Sequence, residues 1–421
     1  MEALIVVILL LALIALGAQL FLIIGALSLT LFFLYGDVEL FSLIKTMFDT
    51  VNKSALLSIP LYVFAGAVMS RGEIAKRLID LAMAAFGWLK GGLAVGAVLA
   101  CVFIAAISGS SPVTLIAIGT IMYPAMMKYG YPEKMSLGVL TVSGSLGILI
   151  PPSIPMIIFS IVTGADVNKL FIAGILPGII TALLIIAMAL IFASKYNLQT
   201  QPFSIIDLGN CFLRSIPALL MPGLILGGIY SGIYNVTEAA AVGAVYAILI
   251  ELFYFHQMKL KDLADTLYES VIVLGIIFII IAMATVFNYF LILQDVPNML
   301  LESMQGFITS QTMFLIVTML LLLIVGLFMD SISAVLILAP LLLPTAMKYE
   351  IDLIHLGVVF ILGLEIGYLT PPVGVNLFVS AGVFDKPFGK IVIASIPYAI
   401  MVFVALLLIA FFPQLSLFLV K

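Results

Sequence analysis

The sequence predicts an all-α polytopic membrane protein built from two inverted repeats, each holding a re-entrant helical hairpin and a broken transmembrane helix. Three observations lead there. The 421 residues are 64% hydrophobic and 9% charged, with a mean hydropathy of +1.35, whereas soluble domains are about 25% charged. A cassette occurs twice, 220 residues apart: Ser108-Gly109-Ser110-Ser111-Pro112, Pro124, Lys128 and Gly147 to Pro152 return as Met329-Asp330-Ser331-Ile332-Ser333, Pro344, Lys348 and Gly367 to Pro372. In both copies polar or proline-rich breaks interrupt apolar runs, and paired interruptions of that kind mark the binding sites of secondary transporters.

Apolar runs of about 20 residues suffice to cross the bilayer as helices, and continuous apolarity without period-two alternation excludes an outer-membrane barrel. A net charge of −4, thinly spread, offers no basic patch for nucleic acid. Cys101 and Cys211 stand apart in apolar surroundings, without metal-ligand spacing, and read as packing residues. The start, Met1-Glu2-Ala3, lacks a basic segment and a cleavage site and reads as a retained membrane segment.

In chain order, residues 3 to 35 would make a helix of about 50 Å, longer than a hydrocarbon core of about 30 Å, so a break is expected near Gly17. Residues 37 to 53 mix Asp37, Glu39, Lys45, Asp49 and Lys53 with apolar residues, as an interfacial amphipathic helix does. A short span at 55 to 70 follows, then a second surface candidate at 72 to 87. The long apolar stretch from Gly91 to Met127, cut by the serine knot, fits a hairpin whose tip lies at membrane depth, where protein or a cavity must surround it. Residues 134 to 162 form a span broken at Gly147 to Pro155, since three prolines cannot all continue a helix. Spans are expected at 166 to 194, 213 to 233, 237 to 255 and 268 to 290, with Lys195 to Arg214 as linker and Lys259 and Lys261 in an amphipathic segment mirroring 37 to 53. The hairpin returns at 311 to 348, the broken span at 354 to 382, and a last span at 391 to 418.

Arg71, Lys76, Arg77, Lys90, Lys128 and Lys134 surround the base of the first hairpin; Lys348 alone, beside Asp295, Glu302, Glu350 and Asp352, marks the second. The positive-inside rule places the first base in the cytoplasm and the second outside, so the repeats are inverted. Lys195, Arg214, Lys259 and Lys261 fall on the cytoplasmic side of the same trace.

Breaking a helix in the membrane exposes carbonyls at one half-helix end and amides at the other. The carbonyls suit sodium and the amides a carboxylate. Asp330 and Glu365 are acidic at membrane depth, where such groups commonly line ion or substrate paths; Asp330 equally fits a helix cap, and Glu365 an internal structural tie. Asn376 is placed to bond a polar substrate or to tie down the broken backbone. A serine protease at Ser110 or Ser145 would need a base within reach, and His256 and His355 lie in other segments. An aspartyl protease would need a partner for Asp330.

Taken together, Ser108-Gly109-Ser110-Ser111, Gly147-Ile148-Leu149-Ile150-Pro151-Pro152-Ser153-Ile154-Pro155, Tyr230-Ser231-Gly232, Thr237-Glu238-Ala239-Ala240-Ala241, Phe328-Met329-Asp330 and Pro371-Pro372-Val373-Gly374-Val375-Asn376-Leu377 resemble the large membrane subunit of the tripartite ATP-independent periplasmic transporters, over nearly the whole chain. The resemblance implies a sodium-coupled, elevator-type importer of an organic acid such as a C4-dicarboxylate or a sialic acid in the bacterial inner membrane, and not an enzyme. It implies two partners: a small four-helix membrane subunit, here a separate chain, and a periplasmic substrate-binding protein. It implies one sodium around Ser108 and Ser111 with backbone at Gly147, Ile150 and Pro152, and a second around Gly326, Gly367, Thr370 and Val373. Ser110, Asp330, Ser331, Ser333 and Asn376 are then the substrate candidates. Residues 1–90 and 166–310 would be scaffold, 91–165 and 311–385 the transport domain, and 386–421 a C-terminal helix. A stand-alone carrier with the same architecture is the alternative, and no Walker loop supplies an ATP motor.

Overall fold

The computed structural model describes residues 6, 8–10, 12–13, 18, 20–36, 38–200, 202–305, 308–372 and 374–420. The expected break near Gly17 and the candidate Val373 lie outside them. The described helices are α1 (Leu20–Tyr35), α2 (Leu40–Val51), α3 (Ser58–Arg71), α4 (Glu73–Phe86), α5 (Gly92–Ser108), α6 (Ser111–Lys128), α7 (Glu133–Ser145), α8 (Ile154–Thr163), α9 (Val167–Ser194), α10 (Ile205–Tyr230), α11 (Val236–Leu249), α12 (Leu260–Leu293), α13 (Val296–Gln305), α14 (Gln311–Gly326), α15 (Ser331–Lys348), α16 (Leu353–Gly367), α17 (Val375–Phe384), α18 (Phe388–Phe411) and α19 (Gln414–Leu417). A 3₁₀ turn leads into α3, another follows α7, and a π-helical turn, Ile250–Tyr254, ends α11.

Seven of the described helical stretches are long and apolar enough to cross a membrane, whereas α8 and α17, each of 10 residues, are not. Ten residues rise about 15 Å, half of a hydrocarbon core. Each such helix completes a span begun by α7 or α16, as broken spans require. Large apolar side chains such as Leu183, Ile191, Leu220, Val271 and Ile272 point outward, a surface that suits lipid and would aggregate in water.

The repeat holds at the level of single hydrogen bonds. Helices α6 and α15 have identical bounds at a shift of 220. The turn after α6, with Tyr129, Gly130 and Tyr131 amides bonded to Ala125, Met127 and Met126, recurs as Tyr349, Glu350 and Ile351 on Thr345, Met347 and Ala346. Gly130 and Glu350 both take positive φ there, and Pro151-Pro152 and Pro371-Pro372 are both cis. The correspondence extends outward: α1 matches α11, α2 and α3 match successive parts of α12, α4 matches α13, and α9 matches α18.

The two copies run in opposite senses. Glu133, at the start of α7, ion-pairs with Lys386 at 3.0 Å and with Lys390, which flank the end of α17. Farther along, Phe159 of α8 meets Phe360 in the middle of α16, with ring centroids 5.5 Å apart, and a Cβ at Gly357, nearer the start of α16, would lie 3.0 Å from the Phe159 ring. The copies also exchange partners: α6 packs on α17 of the other copy, and α15 on α8.

Four expectations change. Helix α10 starts at Ile205, not near 213, because Ser204 caps it by accepting the Asp207 amide at 3.1 Å, so the linker is shorter than Lys195 to Arg214. The segment of Lys259 and Lys261 is no separate arm. It runs unbroken into the next span as the 34-residue α12, whereas its counterparts α2 and α3 are split around Asn52 and Lys53. Helix α4 is amphipathic as expected, but its apolar face, Ile74, Leu78 and Ile79, is buried against α5 and α10. Helix α9, expected in the scaffold block, packs mainly against α5 and α16 of the cassettes and against α18.

Candidate functional site

The first candidate site forms where the tip of one hairpin meets the break of the following span. Helix α5 stops at Ser108 because Gly109 turns the chain with φ 60, a value open to glycine and costly for most residues. A side chain at Gly109 would also meet the Pro152 carbonyl oxygen at 2.8 Å. Ser110 is extended and Ser111 opens α6, with Pro112 in the first turn, where its missing amide hydrogen costs nothing. The break mirrors this. Helix α7 ends in a 3₁₀ turn, Leu146–Ile148, and Ser153 bridges to α8: its hydroxyl donates to Ile148 O at 2.5 Å and accepts the Met156 amide at 3.4 Å.

Tip and break touch directly. The Ile154 amide donates to Gly109 O at 3.4 Å, and a Cβ on Gly147 would lie 2.4 Å from Ser110 O. Ser108 and Thr114 hydroxyls are 2.9 Å apart, and Thr114 donates to Ser110 O at 2.9 Å. Ser111 donates to Gly144 O at 3.1 Å and meets the Asn376 amide group at 2.6 Å. Ser108, Ser111, Gly147 and Pro152 are therefore brought together, all buried. Ile150 lies in the same break, its side chain against Gly178 of α9.

The second candidate site repeats the scheme with different side chains. Gly326 and Gly367 face each other so closely that a Cβ on Gly367 would lie 2.5 Å from Gly326 Cα. The Thr370 hydroxyl donates to Ile366 O at 2.8 Å and its amide to Gly367 O at 3.2 Å. Asp330 caps α15: its carboxylate accepts the Ile332 and Ser333 amides at 3.0 and 3.1 Å and the Ser333 hydroxyl at 2.6 Å. That is the cap geometry that satisfies orphan amides at a helix start. The Ser331 amide donates to the Tyr368 hydroxyl, which donates to Ser331 Oγ, both at 2.7 Å. Ser331 and Ser333 are buried, Thr370, Ser110 and Asp330 half-buried, and Pro371 and Pro372 exposed.

Both sites thus offer hydroxyl and carbonyl oxygens at half-helix ends, the donor set that suits a small hard cation. Asn376 ties them together. It is fully buried on α17 of the second copy, yet it hydrogen-bonds Ser111 of the first. Residue-by-residue reading of the sequence missed Thr114, Ser153, Tyr368 and the contact between Ser145 and Glu365. Thr114 had a signal, four residues after Ser110 on one helix face; Ser145 and Glu365 had another, standing 220 residues apart. The histidines are engaged away from the serine knot, His355 with Ser416 at 2.8 Å and His256 with Tyr254 O at 3.3 Å.

Outside the spans, the Lys390 and Lys386 ammoniums hold the Glu133 carboxyl down at about 2. At the opposite end of the repeat pattern, Glu251, on the π turn after α11, is buried and accepts the Glu73 and Ile74 amides, both at 3.0 Å, capping α4 from another helix. The capping carboxylate sits where a Cβ at Gly72 would lie 2.0 Å from Glu251 Cδ, so a side chain at 72 would displace it.

The family model and the curated relatives agree on one group. The model of the tripartite ATP-independent periplasmic transporter DctM component matches residues 7–415. A C4-dicarboxylate TRAP transporter large permease protein, DctM, of Pseudomonas aeruginosa is 40% identical over 394 residues, covering 93% of this chain and 92% of that one. An isethionate TRAP transporter permease protein, DctMQ, of Oleidesulfovibrio alaskensis is 32% identical, covering 91% of this chain and 61% of the longer protein. The crystal structure of the YdaH transporter of Alcanivorax borkumensis shares the fold, with a TM-score of 0.62 over 98% of each chain at 14% identity.

Proposed function

Because the chain belongs to the DctM component family of the tripartite ATP-independent periplasmic transporters, we propose that it is the large permease of a sodium-coupled importer of small organic acids. It is a multi-pass inner-membrane transport protein and not an enzyme. The observation that carries the reading is the meeting of each hairpin tip with a helix break, joined through Asn376 and Ser111.

In this reading one sodium is held by Ser108 and Ser111 with backbone at Gly147, Ile150 and Pro152, and a second by Gly326, Gly367 and Thr370 with Val373. Sodium completes the oxygen shells that the breaks leave open and orders the two tips. The substrate carboxylate then meets half-helix amides and the polar groups of Ser110, Asp330, Ser331, Ser333 and Asn376. A C4-dicarboxylate, the substrate named for the Pseudomonas relative, is the first to try, with isethionate and a sialic acid beside it.

The cassettes, with α9 and α18 packed on them, form the moving body of an elevator. Helices α1 to α4 and α10 to α13 form the frame, with the base of the first hairpin in the cytoplasm. A small membrane subunit covers the frame, and a periplasmic binding protein delivers the acid; the name DctMQ of the longer relative supports a permease that works beside a second membrane unit.

Uptake of labelled carboxylates into proteoliposomes, under an inward sodium gradient and with both partners added or withheld, tests this. Uptake that needs sodium and all three proteins is expected. Sodium-independent uptake in wild type, or sodium dependence unchanged in the double variant Ser111→Ala, Thr370→Ala, overturns the coupling sites. Uptake by the chain alone overturns the partnership.

A further inference from the structure

The proposed frame, α1 to α4 and α10 to α13, meets the proposed moving body, α5 to α9 and α14 to α18, along one seam. Among the described residues of these helices, a single hydrogen bond crosses the seam and no ion pair does. The Asn288 side-chain nitrogen, on α12, donates to the Leu336 carbonyl oxygen of α15.

The bond has a local cause. Leu336 stands four residues before Pro340, inside α15. Proline has no amide hydrogen to give to position i−4, so the Leu336 carbonyl has no partner in its own helix. A bare backbone carbonyl is costly away from water, and Leu336 is 2% exposed. The need is mutual. Asn288 is buried on a membrane-crossing helix, where an amide side chain is expensive unless it is bonded, and its Oδ1 has no partner among the described residues. Each group therefore meets the other's deficit across the seam.

The first copy has none of the three parts. By the 220-residue shift Asn288 corresponds to Val68, Leu336 to Ile116 and Pro340 to Thr120. Thr120 keeps its amide, and its hydroxyl also donates to Ile116 O at 2.8 Å, so that carbonyl needs nothing from the frame. On that side the frame approaches through bare backbone: a Cβ on Gly66 of α3 would lie 2.9 Å from Ser108 Cα.

The surroundings of the bond are open. A cavity of about 270 Å³ lies between α2, α8, α12 and α15, and Thr46, Ile158, Ile281, Asn288, Leu336 and Pro340 are among the residues that line it. Protein interiors are otherwise close-packed. A bond beside a void can hold two bodies together and still be broken without first undoing a packed layer.

We infer that Asn288 is a positioning residue, a catch that holds the second hairpin against the frame in the arrangement seen here and releases it when the body moves. Release leaves the Leu336 carbonyl and the Asn288 amide unpaired, so the catch favours this arrangement by about two- to tenfold, the worth of one such bond. The release step rests on the elevator reading of the preceding subsection; the hydrogen bond does not.

The test is a distance measurement by double electron–electron resonance on the full chain in lipid nanodiscs. One spin label goes on the frame through Ile233→Cys and one on the body through Lys169→Cys, both exposed positions, in a chain that carries Cys101→Ala and Cys211→Ser. Asn288→Leu removes the donor. Pro340→Ala gives the Leu336 carbonyl a helical amide, so the bond becomes dispensable. Both should shift the distance distribution in the same direction, each by about two- to tenfold in population, and the double variant should go no further than the larger single shift. A distribution that responds to sodium in wild type, yet keeps its wild-type proportions in Asn288→Leu and Pro340→Ala, overturns the catch alone, as do fully additive shifts. One fixed distance in every protein, while uptake proceeds with the partners present, overturns the elevator reading and the catch with it. Should Asn288→Leu fail to fold, Pro340→Ala, which keeps Asn288 and adds a bond to α15, decides.

Discussion

Replacing Gly367 with alanine puts a methyl group into the tightest backbone approach of the second site. The new Cβ would lie 2.5 Å from Gly326 Cα, 2.6 Å from its carbonyl carbon and 2.8 Å from its oxygen. Carbon atoms rest at about 3.5–4.0 Å, so α14 and α16 must part by about 1 Å, and backbone cannot swing aside as a side chain can. Overpacking of this kind costs about 1–3 kcal/mol, against a helix-propensity gain of up to about 1 kcal/mol for alanine over glycine. The net expectation is a loss of up to about 2 kcal/mol. Gly275, in the middle of α12, provides the contrast: a Cβ added there would meet nothing within 4 Å, so Gly275→Ala should gain the propensity term alone. Thermal unfolding in lipid nanodiscs reads the first difference, and the sodium concentration for half-maximal uptake reads the second, which should rise in Gly367→Ala as hairpin and break are wedged apart. Equal melting points for the two variants, together with an unchanged sodium requirement, would sink the close-approach account of this site.

Three further outcomes follow from other parts of the chain. Gly72→Ala should displace the Glu251 carboxylate from the start of α4 and cost about 1–2 kcal/mol, the worth of a good cap; in a double-mutant cycle with Glu251→Ala the two losses should overlap instead of adding, and simple additivity in denaturant unfolding would contradict it. Glu133 is held at about 2 by Lys390 and Lys386, below its unfolded value, so its contribution is complete above the unfolded carboxylate range and lost as pH falls toward about 2. Glu133→Gln should remove that acid limb from the stability profile, and an identical limb in the variant would refute the pairing. Ser111→Ala should cost about 1–3 kcal/mol by leaving buried Asn376 without its partner, and Asn376→Ala made in addition should recover part of it; sodium-dependent uptake and unfolding measured on all four proteins would expose the coupling or its absence.

The periodic parts of this architecture were legible from residue order because a duplication leaves two independent readings of one geometry. The knot at Ser108 to Ser111 and the double prolines at 151 and 371 fixed both hairpins and both breaks, and the bounds of α6 and α15 agree to the residue. What escaped was decided by packing between distant segments. Nothing local says that α12 continues through the place where α2 gives way to α3, or that Ile205 and Ile206, although exposed, already belong to a helix. The burial of α9 among the cassettes depends on glycines such as Gly174 and Gly178 accepting Met156 and Ile150, which only the folded chain reveals. Asp330 shows a different limit: an aspartate before a helix reads equally as cap or as ligand, and the hydrogen bonds to Ile332 and Ser333 establish the cap.

The exchange by which α6 leans on α17 and α15 leans on α8 has a consequence for how such a chain can be inherited. One copy of the repeat, alone, would end with a hairpin arm that has no wall and a half-helix that has no occupant, and both deficits are repaired only by a second copy set upside down. A single copy could complete these contacts only against a second copy lying in the opposite orientation in the bilayer. Within one chain the two halves can differ, serine at 145 and glutamate at the matching 365, while neither can be dispensed with.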